Sequence, residues 1–239
     1  IWSLDDRMAE LELPTEPTDP RGEWRGRWEL SETVAHRRRR RITGHLEIHH
    51  IPEGRQSRLE ITQRIPGVQG MSVTTQTSLN CRSDEWLSPM DWLSEFTSHS
   101  GRAERTDTRA TQRGLVSRNG LLLSGVDETR TVLPRRTNLT SSFSLIAALP
   151  RLHREDQAQQ HFTLLEDLMI VRSEQQLTRI DSVQLPTAEG TVPLRGYRHY
   201  GRGTPPVHYW LGEGGFPLFS ATLGSALLAL EFEELGGEE

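Results

Sequence analysis

His45, Glu47 and His49 occupy alternate positions of a segment that reads as strand, and alternate side chains of a strand project to one side. A His-x-Glu-x-His set of this kind can present three ligands to a metal such as zinc. The same alternation equally describes a solvated outer face opposite Leu46 and Ile48, and neither His36 nor His50 is fixed to that face, so the sequence assigns no metal and no other cofactor. Arg37 to Arg41 set five guanidinium groups side by side, with Arg38, Arg39 and Arg40 at the centre. Such a run can bind an anionic head group or polyanion, or form a solvated hairpin tip. Nucleophilic chemistry has little to stand on. The serines lack a Gly-x-Ser-x-Gly elbow, Cys81 is the sole cysteine and has no histidine in its local context, and pairs such as Asp84 and Glu85 read as turn charge.

The aromatic residues point elsewhere. Trp24, Trp28, Trp86, Trp92 and Trp210, with Phe96, Tyr197 and Tyr209, are spread over several strand-like segments, so a curved sheet can gather some of them on its inner face, with Trp24, Trp28, Trp92, Phe96 and Trp210 the first candidates for a groove. An apolar groove of that kind under a helical lid suits an acyl chain or another amphipathic ligand. The competing reading is that the same rings fill the core.

Composition narrows the classes. All 28 basic residues are arginine, which removes Schiff-base and phosphate-loop lysine chemistry. A net charge of −5, with acidic residues concentrated at both ends, argues against nucleic acid as a partner. One cysteine permits no intrachain disulfide, and no apolar run is long enough to span a membrane as a helix, which leaves peripheral contact as the expected form of membrane association. The chain opens on Ile1 rather than methionine, from which removal of an N-terminal piece, by processing or by choice of the expressed segment, is expected.

The elements that must position these residues are mostly strands. Residues 1–21 are acidic and carry Pro14, Pro17 and Pro20; they read as an N-terminal arm contributing little core. From Gly22 the alternation begins: Trp24, Gly26, Trp28 and Leu30 share one face at period two. Strands follow at 42–51, 58–63 and 71–77, and Ser88-Pro89 should break or offset the next. Segments 102–112 and 115–123 form a hairpin candidate, with Asn119-Gly120 as either a tight turn or a bulge. Helical periodicity enters in the middle: a serine-capped helix from 141 or 142, with Phe143, Ile146 and Ala147 on one face, stopping near Pro150. A second helix is expected over 155–169, where Phe162, Leu165, Leu168 and Met169 fall at helical spacing. Short alternating runs separated by Gly-rich turns then carry the chain to its end as an antiparallel meander.

Asp84 to Trp92, the helix Phe143 to Leu152, and the run Gly190, Tyr197, Trp210, Gly214 and Pro217-Leu218 resemble an uncharacterised family of bacterial secreted proteins, a domain of unknown function whose fold is related to the lipoprotein carriers LolA and LolB. The resemblance implies a mainly β (α+β) fold: one large curved antiparallel sheet, a half-barrel, with helices inserted against its concave face. Residues 22–239 are then expected to form a single such domain with a helical insertion at about 141–170. The resemblance also implies a periplasmic or extracellular location.

Together these readings lead to an expectation of a non-enzymatic, carrier-like binding protein for a hydrophobic or amphipathic ligand. The alternatives are an envelope scaffold that binds another protein over a filled core and, last, a hydrolase.

Overall fold

A computed structural model describes residues 13–34, 39–66, 71–99, 107–117, 120–125, 129–131, 133, 138–154, 158–187, 190–223 and 225–235. Its strands are β1 (Glu23–Val34), β2 (Arg39–Glu53), β3 (Gln56–Pro66), β4 (Ser72–Arg82), β5 (Pro89–His99), β6 (Thr108–Ser117), β7 (Gly120–Ser124), β8 (Thr129–Thr131), β9 (Asn138–Ser141), β10 (Gln159–Glu166), β11 (Ile170–Thr187), β12 (Gly190–Gly201), β13 (Thr204–Leu211), β14 (Pro217–Ala221) and β15 (Ser225–Leu235). The helix α1 (Ser142–Leu152) lies between β9 and β10.

All fifteen strands belong to one sheet, in the order β8-β7-β6-β5-β4-β3-β2-β1-β15-β14-β13-β12-β11-β10-β9. Every strand therefore pairs with its neighbours in sequence except across one break. First and last strands pair antiparallel in the middle of the sheet, Glu23 opposite Leu235, and the open edges are β8 and β9. The pairing is antiparallel throughout apart from β9 with β10, whose parallel register (Phe162 opposite Asn138) requires the crossover that α1 supplies.

The sheet curls because its arms meet the same helix. α1 contacts β2 on one arm and β9, β10 and β14 on the other, and β5 reaches β9 across the open seam. Thr140 at that seam donates its hydroxyl to the carbonyl of Trp86 at 2.9 Å. The inner face follows the period-two alternation read from the sequence: Trp24 and Trp28 on β1, Leu46 and Ile48 on β2, Leu59 and Ile61 on β3, and Leu79 and Cys81 on β4 are all buried. The outer face of the central strands carries ion pairs across the ladder, Arg25 with Glu47 and Glu233, and Arg27 with Glu231.

α1 begins where Ser141 accepts a hydrogen bond from the amide of Ser144 at 2.9 Å, the expected serine cap. It is apolar on nearly all sides, and Ser144 to Leu152 are buried without exception, as suits a helix enclosed by a sheet. It ends at Leu152, two residues past Pro150, close to the expected stop. Leu152 is fully buried and Arg151 is held at both guanidinium ends, which offsets the penalty of a proline in the last turn.

The expected second helix is absent: residues 159–166 form β10. A register shift between Phe162 and Leu164 breaks strict alternation and leaves Phe162, Thr163, Leu164 and Leu165 all buried, which mimics helical spacing. Leu168 belongs to the hairpin that follows, where Asp167 and Leu168 take left-handed φ of 50° and 58°. Of the expected insertion at 141–170, the described residues thus contain one helix, not two.

The described part of the arm is docked against the sheet. Pro17 and Pro20 are buried, Leu13 packs on the core, and Glu16 accepts from the amide of Phe216 at 2.9 Å. These residues contribute core that their polar sequence did not suggest. No helix among the described residues is long and apolar enough to cross a membrane.

Candidate functional site

Between α1 and the arm β10–β15 the core does not close. A cavity of about 240 Å³ is left, floored by Leu145 and Ile146 of α1 and Leu164 of β10, and walled by Val207 and Tyr209 of β13 and Ala226 and Leu227 of β15. Its floor is buried and its rim, Thr204, Thr222 and Ser225, is partly or fully exposed, so it opens to solvent on one side.

Three buried polar residues interrupt the apolar lining. His199 of β12 is held by Gln175, whose amide nitrogen donates to the carbonyls of Ser173 (2.8 Å) and Arg202 (3.2 Å). The amide oxygen therefore faces the imidazole and accepts from Nε2–H at 2.9 Å, leaving Nδ1 as an acceptor. Burial pushes the His199 pKa down to about 4, so the ring is neutral near pH 7. Tyr209, whose phenol is driven upward by burial and stays protonated, and Ser220 opposite it on β14 bring two hydroxyls to the same lining. The one charged residue among the described residues of the lining, Glu166, is ion-paired with Arg172 at 2.8 Å.

A separate polar cluster sits at the other end of α1. His50 donates Nδ1–H to the carbonyl of Gly22 at 2.6 Å and accepts from Arg151 at 2.9 Å. Burial, then the Arg151 charge, lowers its pKa to about 4. Arg151 also reaches the carbonyl of Asp84, and burial lowers its own pKa. Cys81 is buried with its thiol pushed up to about 12 by desolvation, so it remains an unreactive thiol beside Ser144. This cluster is occupied by its own contacts and ties α1 to the sheet.

The outer side has a second concavity of about 510 Å³ over β4 to β7, lined in part by Trp92, where the Asn80 amide donates to Asp91 at 2.8 Å and Leu115 and Leu122 are exposed.

The residues singled out by sequence are dispersed. Trp24 stacks on His50 and meets Phe216 edge-on, while its Nε1–H reaches the carbonyl of Pro20. Trp28 donates to the carbonyl of Pro217 at 2.8 Å and meets Phe232 edge-on. Trp92 lies across Gly114 on the neighbouring strand, and Phe96 is half-buried on the same face of β5. Trp210 lies on the face of β13 opposite Tyr209 and Leu211, covered by His208 and Phe219. None of the five lines the inner cavity.

His45, Glu47 and His49 do share the outer face of β2, but His49 is bound to Glu23 at 2.8 Å and Glu47 to Arg25. Among the described residues no three His, Cys, Asp or Glu side chains converge as a metal would need. Arg38 lies outside the described residues; Arg39 and Arg40 belong to β2 by backbone, opposite Val34 and Thr33, and their side chains lie outside the description. His199 and Ser220 were not singled out by sequence, whereas Tyr209, read there among the aromatic residues of the groove, is the one of that set found in the cavity lining. The signal available was period two: His199 alternates with Tyr197, and Tyr209 with Leu211.

No family model and no curated protein matches the chain. Among solved structures, the fold is similar to the crystal structure of a β-barrel-like protein of a domain of unknown function, DUF1849, from Brucella abortus. The TM-score is 0.55 at 9% sequence identity, over 94% of this chain and 100% of that one. At that identity the likeness is one of fold: a mainly β, barrel-like, unclosed sheet with a helix inside it.

Proposed function

We propose that the protein is a non-enzymatic binding or carrier-like protein, acting outside the cytoplasm, that holds the apolar part of a hydrophobic or amphipathic ligand in the cavity between α1 and β10–β15. The observation that carries this reading is the cavity's lining. It is apolar on most sides, open at one rim, and punctuated by a few buried polar groups, the pattern of small-molecule sites. At about 240 Å³ it is smaller than the ~300–1,000 Å³ of drug-sized sites and larger than the ~150 Å³ apolar cavities that take benzene. An alkyl segment or a small amphiphile fits; a whole diacyl lipid does not. The extracytoplasmic placement rests on the resemblance carried by residues 84–92, 143–152 and 190–230, and cell fractionation tests it.

The packing of Trp24, Trp28 and α1 into most of the concavity favours the scaffold as the second reading. A native mass spectrum of the protein purified from its host without detergent separates the two. The carrier reading expects a bound small molecule that is lost from an Ala226→Phe variant, whose ring fills the cavity. The unliganded mass alone, with co-purifying protein, supports the scaffold.

A further inference from the structure

Resting on the ligand-binding reading, we propose that the cavity selects a neutral amphiphile with a hydroxyl-type donor, such as an alkyl alcohol, and rejects the corresponding carboxylate. The argument is one of charge and hydrogen-bond complementarity. Among the described residues no arginine lines the cavity, and the single charged residue of the lining is an acid, Glu166, whose oxygen is already taken by the Arg172 guanidinium at Nε (2.9 Å) and Nη2 (2.8 Å). A carboxylate entering this apolar space leaves water without a counter-charge, a transfer that proteins avoid.

A hydroxyl meets the opposite situation. The carbonyls of Ser173 and Arg202 fix the Gln175 amide, the amide fixes His199 Nε2 as a donor, and Nδ1 is left facing the lining as an acceptor with no partner among the described residues. The side chain is 2% exposed, so an unmade bond there is costly and a made one selective. Tyr209 and Ser220 are also without side-chain partners among the described residues, and each can donate to or accept from the same guest. The alkyl chain is left for Leu145, Ile146 and Leu227.

Calorimetric titration of the whole protein at pH 7 with 1-octanol and with octanoate tests this. The expected result is saturable binding of 1-octanol and binding of octanoate at least tenfold weaker. His199→Phe, which keeps a ring but no acceptor, should weaken 1-octanol roughly three- to tenfold, the span of one hydrogen bond, and Ser220→Ala provides a second, smaller truncation in case the first variant does not fold. Octanoate binding as tightly as 1-octanol, or tight 1-octanol binding indifferent to both substitutions, overturns this inference while leaving the cavity a ligand site. Binding of neither compound overturns the ligand-binding reading with it.

Discussion

Arg151 donates from Nη2 to Nε2 of His50 across 2.9 Å, and this bond fixes the C-terminal end of α1 to β2. It forms because the Gly22 carbonyl holds the proton of His50 on Nδ1, which turns the other ring nitrogen into an acceptor. The guanidinium sits in the last turn of the helix, where a cation is favoured by the helix dipole. Replacing His50 by Phe leaves a buried guanidinium nitrogen without its partner and should cost about 1–3 kcal/mol. His50→Phe combined with Arg151→Met removes both polar groups and should cost less than the sum of the single changes, by at least about 0.5 kcal/mol in a urea-denaturation cycle. Strict additivity would show that the bond carries no coupling.

Stability should fall as pH drops from about 6.5 to about 4. His50, His153 and His199 are each lowered to about 4, with burial the first cause in all three, whereas the unfolded chain takes up these protons near 6.5. Between those values the unfolded state binds more protons, so it gains on the folded one as pH falls, and below about 4 the effect is complete. Burial raises Glu16 and Asp167, which favours the folded state in acid and opposes part of this trend. A melting temperature that is flat above pH 7 and declines between 6.5 and 4 is expected, with a shallower decline in the His50→Phe variant. A flat profile across that window would contradict the burial of these rings.

Gly114 should tolerate no side chain. A Cβ there would overlap the Trp92 ring, which crosses the strand at the paired position. Gly114→Ala should displace the indole and cost about 1–3 kcal/mol as an overpacked core. Thermal melting monitored by tryptophan fluorescence checks this, and a loss within about 0.5 kcal/mol would place Trp92 elsewhere.

Leu165 tests the strand that replaced an expected helix. It is 1% exposed within β10, so Leu165→Asp buries an unpaired carboxylate and should cost several kcal/mol. An unchanged melting temperature would remove it from the core.

Much of the sheet was legible because alternation needs only one dry face. Trp24, Gly26 and Trp28 announce β1, and Leu46 and Ile48 announce β2, whose other face carries His45 and Glu47. Residues 159–166 were misread because a register shift and burial of Phe162 to Leu165 in succession erase the period of two. Tryptophan was a poor guide to the cavity for a related reason. Large rings fill space, so Trp24 and Trp28 mark where the concavity is closed, and smaller side chains such as Ala226 mark where it stays open. The acceptor role of His199 depends on Gln175, 24 residues away on the adjacent strand, a pairing that local sequence does not display.

The most direct test of the central claim is calorimetric titration of the unmodified protein and of Ala226→Phe with 1-octanol at several temperatures. Saturable one-to-one binding with a negative heat-capacity change, as apolar burial requires, is expected for the unmodified protein, with binding lost in a variant that melts at a comparable temperature. Saturable binding that survives Ala226→Phe, or no binding by either protein, would contradict a ligand site between α1 and β10–β15.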